Sequence, residues 1–259
     1  MPEFNTLPLL TTAAAAGLLA ACGSPLVPKS ALAQPTEAPA RAGFTVDLDK
    51  GDVLQVIAPQ SREDGASTRE AYYRQTIPAA EALGFQRHGQ LNVRQKVISD
   101  WDPGAFIFFS WPDQPSLTAF EARPEWPSVL ATRSNGWEEL RIFSLELKQD
   151  LELQFDPEKH YTVVVAWLNS DGNADYDRYL DGIEPAMARA GGRFVHKLRG
   201  PSMEALDAPP GAPGQITFVE WDSTDGFAQV QQSPEYRAHQ QYFASGVERF
   251  EFYWLETPR

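Results

Sequence analysis

Pro103-Gly104-Ala105-Phe106-Ile107-Phe108-Phe109-Ser110-Trp111 returns later in the chain as Pro213-Gly214-Gln215-Ile216-Thr217-Phe218-Val219-Glu220-Trp221. Placing Trp111 over Trp221 sets an offset of 221 − 111 = 110 residues, which then runs without a gap from Pro103 to Glu146. Pro124-Glu125, Gly136, Glu138 and Leu145-Glu146 fall on Pro234-Glu235, Gly246, Glu248 and Leu255-Glu256, and Trp126 falls on Tyr236. Upstream, an offset of 106 sets Tyr73, Ile77 and Ala80 on Tyr179, Ile183 and Ala186. One or two extra residues are therefore expected just after each first helix, and the rest in the following loop.

Within each half the local patterns spell βαββαβ. Tyr161 to Leu168 is β-branched and apolar, a buried strand. Tyr176, Tyr179, Leu180, Ile183, Ala186, Met187 and Ala190 recur at helical spacing, and Gly191-Gly192 stops that helix. Pro185 inside the pattern predicts a kink. Arg193 to Arg199 and Gln215 to Trp221 read as strands, and Ser223 to Gln232 as a helix. In Ser233-Pro234-Glu235-Tyr236, serine caps a further helix whose first position is the proline. Phe250 to Glu256 closes the unit. The first half offers Val53 to Ala58, a helix opened by the capping box Ser67-x-x-Glu70, then strands near Gln86 to Leu91 and Phe106 to Trp111. One βαββαβ sheet alone leaves a face bare, so the two units are expected to pack on each other.

Gly191-Gly192-Arg193-Phe194, the strand ending in Glu220-Trp221 and the Ser233-Pro234-Glu235-Tyr236 turn resemble the signature of domain of unknown function 1330, over about Tyr161 to Thr257. That family sits in the dimeric α+β barrel superfamily. The resemblance implies an α+β fold in which two ferredoxin-like βαββαβ units form, inside one chain, the barrel that relatives build by dimerising. The expected chain is monomeric, with units at 50–150 and 159–258. The superfamily includes cofactor-free monooxygenases, isomerases, cyclases and haem-handling enzymes, so fold alone does not select an activity.

Composition narrows the partners. With 22 basic against 35 acidic residues, a net charge of −13 and no basic stripe, nucleic acid is excluded as a natural partner. The lone cysteine, Cys22, rules out an internal disulfide framework. It follows an Ala/Leu-rich segment ending Leu19-Ala20-Ala21, which resembles a bacterial lipoprotein signal, although Met1 to Thr6 carries Glu3 and no basic residue. The expectation is a signal over 1–21, lipidation of Cys22, a Pro/Ala-rich tether over 22–49, and a cell-envelope location in which membrane contact is made only through that lipid. A disordered Ala-rich tail on a cytoplasmic protein is the alternative reading.

His88, His160, His196 and His239 show no H-x-x-x-H or H-x-H spacing, so no local metal site is written, and no cofactor is expected. Strand alternation sets His196 on one face with Phe194 and Leu198, a candidate general base among apolar side chains, with His88 its candidate counterpart. His239 shares a helical face with Tyr236 and Phe243, yet its partner position in the first half is Val129, which favours packing. Trp111 and Trp221 are candidate floors of sheet–helix pockets. Arg193 is either an anchor for an acidic ligand or a solvated strand-end residue. Asn169 to Asp175 alternates oxygen side chains, but Ala174 and Leu180 break the calcium-loop pattern, leaving a strand–helix loop capped by Asn173 or Asp175. The candidate ligand site is thus Tyr176, Phe194, His196, Trp221, Tyr236 and His239, holding a small apolar or aromatic molecule. A cofactor-independent monooxygenase or isomerase using His196 and an envelope interaction module are the alternatives.

Overall fold

The computed structural model describes residues 41–206 and 211–259; Cys22, the signal segment and most of the tether lie outside the described residues. The first half runs β1 (Phe44–Leu48), β2 (Val53–Ser61), α1 (Ala66–Glu81), β3 (Gln86–Ile98), β4 (Ala105–Trp111), α2 (Gln114–Glu121), α3 (Trp126–Leu130), α4 (Arg133–Gly136) and β5 (Trp137–Glu146). After β6 (Leu151–Phe155) come β7 (His160–Leu168), α5 (Asn173–Arg189), β8 (Gly192–Arg199), β9 (Ser202–Glu204), β10 (Gln215–Trp221), α6 (Gly226–Gln231), α7 (Pro234–Gly246) and β11 (Val247–Glu256).

Nine strands form one sheet in the order β8-β10-β7-β11-β3-β4-β2-β5-β9, all pairs antiparallel. Its two edges, β8 and β9, are successive pieces of one strand separated only by Gly200-Pro201, so the sheet closes on itself. The closure is symmetric in register: Gln95 and Lys96 of β3 face Trp254 and Tyr253 of β11, while Ser202 and Met203 of β9 face Ser144 and Phe143 of β5. Each half therefore lends its second strand to the other half's last strand, which removes both open edges.

Alternation along the strands builds the layers. Phe106 and Phe108 of β4, with Ile216 and Phe218 of β10, point into a shared barrel core, whereas Phe109, Trp111, Val219 and Trp221 face the helices. Phe108 and Phe218 are counterparts at the 110-residue offset, and their ring centroids lie 5.4 Å apart. Arg141 and Glu251, also counterparts, form a buried ion pair at 3.0 Å. Both contacts join the first half of the chain to the second.

Several expectations need correction. The upstream offset is 107, not 106: it superposes Pro78 on Pro185 inside the two first helices and Gly84 on Gly191, both at positive φ of 88° and 71°. No residues are inserted after those helices; a single bulge occurs at the same place in both halves, at His88 and at Val195, and the three extra residues fall between the second and third strands. The bulge overturns the face assignment of β8. Phe194 turns to the helices, while His196 and Leu198 face the barrel, opposite Phe218 and Ile216. The counterpart of His196 is Gly89, where any side chain would run into the Phe44 ring, and not His88.

The tether also ends earlier than expected. Phe44, Val46 and Leu48 alternate inward and pair with Phe155, Leu153 and Leu151, making a two-stranded ribbon that buries these residues in the barrel core. Ser67 and Glu70 form no capping box: a short 3₁₀ turn, Glu63–Gly65, precedes α1, and Glu70 pairs instead with Arg74 at 2.8 Å. Gly172, rather than Asn173 or Asp175, stands at the N-terminus of α5, and Asp175 accepts from Ser245 Oγ at 2.6 Å. Ser233 does cap α7, accepting from the Tyr236 amide at 3.1 Å, and Asp113 does the same for α2.

Candidate functional site

The six residues expected to share a pocket do not. Tyr176 and Trp221 are fully buried between the second-half sheet and its helices, with Tyr179, Ile183 and Met187, and Phe194 and Tyr236 pack against that cluster. Burial pushes the Tyr176 hydroxyl up to about 12, too weak an acid for proton transfer near neutrality. Trp221 Nε1 donates to Thr162 Oγ1 at 2.9 Å, a structural anchor. His196 lies on the opposite face of the sheet, has no hydrogen-bond partner among the described residues, and has a pKa lowered by burial. His239 Nδ1 donates to the Glu235 carbonyl at 2.8 Å, and its ring fills the space beside Gly182, so it cements α7 onto α5. Arg193 is the solvated strand-end residue of the two readings: its side chain is 58% exposed, and its guanidinium is taken by Glu220 through two bonds of 2.8 and 2.9 Å.

The matching layer of the first half is built differently. Between β2, β4 and β5 on one side and the first-half helices on the other lies a cavity of about 110 Å³, lined by Tyr72, Trp111, Phe120, Trp126, Arg133 and Trp137 among others. The sequence explains the space. Thr76 and Ala80 stand where α5 has Ile183 and Met187 (offset 107), and Arg133, Leu140 and Ile142 stand where the second half has Phe243, Phe250 and Phe252 (offset 110). Smaller groups on α1 and β5 leave unfilled volume behind an aromatic wall. Trp111 plays the same part as Trp221, donating to Gln55 Oε1 at 2.9 Å, with Gln55 the counterpart of Thr162.

The cavity's polar end centres on Arg133, only 4% exposed. Its guanidinium lies 5.6 Å from the Tyr72 ring and 5.2 Å from the Trp126 ring, cation–π distances in a desolvated setting. Arg133 Nε donates to the Tyr72 hydroxyl at 3.0 Å, so that oxygen accepts and its own hydrogen is left to donate elsewhere. Burial raises the Tyr72 pKa, against the lowering pull of Arg133. Arg133 Nη1 donates to Glu204, which arrives from β9 of the other half. Glu121 completes the wall; burial first, then the Glu204 charge, raise its pKa, and Arg133 offsets part of this. Trp137 edges the same space with its ring 5.1 Å from that of Tyr72, and its buried Nε1 has no acceptor among the described residues.

This is a site that the candidate list missed: an aromatic chamber with hydrogen-bond donors at one end. Carrying the 110-residue offset on to Arg133 would have exposed it, because that step sets an arginine over Phe243, a charge at a position built for packing. Glu204 carried no such mark, since only barrel closure brings β9 to the first-half helices.

Residues 160–250 match the domain of unknown function DUF1330. Among solved structures, an anthrone oxidase-like protein is 19% identical, covers 83% of this chain and 95% of its own, and superposes with a TM-score of 0.50, which supports the fold. A mutant chlorite dismutase from Candidatus Nitrospira defluvii is 12% identical over 81% of this chain and 92% of its own, with a TM-score of 0.39. A dimeric ferredoxin-like protein of unknown function from Bacteroides fragilis is 15% identical, with 39% of this chain and 98% of its own covered and a TM-score of 0.27. No curated protein matches significantly. The chain is a mixed α+β protein of antiparallel sheet, similar in fold to the anthrone oxidase-like protein.

Proposed function

We propose that this chain binds a small planar aromatic molecule in the sheet–helix cavity of its first half. One observation carries the reading: in the counterpart layer Ile183, Met187, Phe243 and Phe250 pack in one cluster, with Phe252 against its Phe227 ring, while the first-half layer keeps a void of about 110 Å³ walled by aromatic rings. An engineered apolar cavity of about 150 Å³ accepts benzene, so the scale suits one aromatic ring with a substituent toward the mouth. Thr76→Ile with Ala80→Met copies the second half into the first and should abolish binding of benzyl alcohol and related fragments, seen by calorimetry, while the fold persists. Unchanged binding by that double variant would end the proposal.

A second reading, a cofactor-independent monooxygenase or isomerase at the same site, is favoured by Glu121, which lines the cavity at an exposed position and whose raised pKa suits it to accept a proton there. The relative named an anthrone oxidase-like protein supports the same reading. Oxygen uptake with acidic aromatic ketones, abolished in Glu121→Gln, tests it. We further propose that the two halves are diverged copies of one unit, the first too diverged for the family match, and that the protein is an envelope lipoprotein anchored through Cys22. Intact-mass analysis of the membrane fraction should find the chain starting at an acylated Cys22; an unmodified full-length chain would refute the anchor.

A further inference from the structure

Resting on the aromatic-cavity reading, we infer that the ligand carries a carboxylate, and that Glu204 is an internal stand-in for it. Arg133 is buried and always charged, and in the described structure its one carboxylate partner is Glu204. That partner belongs to β9, a three-residue strand of the opposite half, and its side chain is 45% exposed against 5% for Arg133. A carboxylate so placed can swing into water without leaving a buried charge of its own. The arginine cannot; something anionic must sit against it.

The fold itself does not require the pair. At the counterpart positions the chain has Phe243 for Arg133 (133 + 110) and Val97 for Glu204 (204 − 107), an apolar combination on the same framework. A charge pair kept in one half only, on the wall of that half's cavity, is a feature of the site and not of the barrel. Two residues of the chamber wall carry donors without acceptors among the described residues: the Trp137 indole N–H, and the Tyr72 hydroxyl hydrogen, freed because its oxygen accepts from Arg133. Among the described residues Glu204 engages the arginine alone. A carboxylate on an aromatic ring offers about four lone-pair sites, enough to replace Glu204 at Arg133 and also to accept from Tyr72 or Trp137. Exchange of one carboxylate for another keeps the local charge unchanged.

The test is calorimetric titration of the full chain with benzoate, its neutral isostere benzamide, and toluene. In the wild type benzoate should bind more tightly than benzamide. Glu204→Gln, which removes the internal competitor's charge at an exposed side chain, should tighten benzoate by about tenfold and change benzamide by less than about twofold. Arg133→Met should weaken benzoate by about tenfold or more, with circular dichroism confirming the fold. Benzoate binding that is unchanged or weaker in Glu204→Gln overturns the inference, as does benzamide binding at least as tightly as benzoate. If toluene and benzamide bind while benzoate does not, the aromatic cavity stands and the carboxylate inference fails. If none of the three binds, both fail.

Discussion

The buried ion pair that joins the two halves gives the sharpest energetic test. Arg141 and Glu251 are 8% and 1% exposed, joined by bonds of 3.0 and 3.1 Å, with the guanidinium 4.0 Å over the Trp101 ring. Breaking a buried pair by removing one partner costs about 3–5 kcal/mol, because the other charge is left uncompensated. The two truncations should differ. Arg141→Met leaves Glu251 with Arg249 at 3.0 Å and the Tyr253 hydroxyl at 3.4 Å, so its cost belongs near the low end, about 3 kcal/mol. Glu251→Met leaves Arg141 facing only Glu139 at 3.7 Å and the Trp101 ring, nearer about 4 kcal/mol. The double variant removes both charges and should cost less than either single change, giving a coupling of at least about 4 kcal/mol. Urea unfolding followed together by tryptophan fluorescence and circular dichroism measures all four states. Single costs below about 1 kcal/mol, the range of exposed pairs, would refute burial of this pair between the halves.

Other outcomes follow from the same geometry. Gly89→Ala should destabilise by about 1–3 kcal/mol through overpacking against Phe44, whereas alanine at Gly104, where a new methyl group meets nothing, should be near neutral in urea melts. His196, its pKa lowered by burial, binds its proton less readily folded than unfolded, so it contributes stability that is lost as pH falls below about 6.5. His196→Leu should therefore flatten the fall of the melting temperature between pH 7 and 5, and an unchanged slope would count against burial of the ring. Glu121 works in the opposite sense: its raised pKa makes its contribution greatest below the unfolded value of 4.5 and lost as pH rises through the folded one. Glu121→Gln should accordingly raise the melting temperature at pH 7 more than at pH 4.

The fold was largely legible because its signals are local or repeated. Alternation in Phe106-x-Phe108 and Ile216-x-Phe218, the Ser233-Pro234 cap and the Trp111/Trp221 offset all survive in one dimension. What escaped was set by single residues acting at a distance. One bulged residue at Val195 inverts the face of Phe194, and no propensity in Arg193 to Arg199 announces it. The ribbon partner of Phe44 to Leu48 lies more than a hundred residues away, so a short alternating segment behind a Pro/Ala-rich stretch read as tether. The site was lost for a subtler reason. The family-like half drew attention to Tyr176, Trp221 and His196, yet in that half large side chains fill the layer, and the diverged half carries the void and its buried arginine.

The direct measurement is ¹⁹F nuclear magnetic resonance of the full chain labelled with 5-fluorotryptophan, its seven resonances assigned by single Trp→Phe variants and then titrated with benzoate and with benzyl alcohol. The signals of Trp111, Trp126 and Trp137 should move together, while those of Trp221 and Trp254 stay in place. Movement of Trp221 or Trp254 with the first-half signals silent, or no movement at all, would contradict a ligand site in the first half.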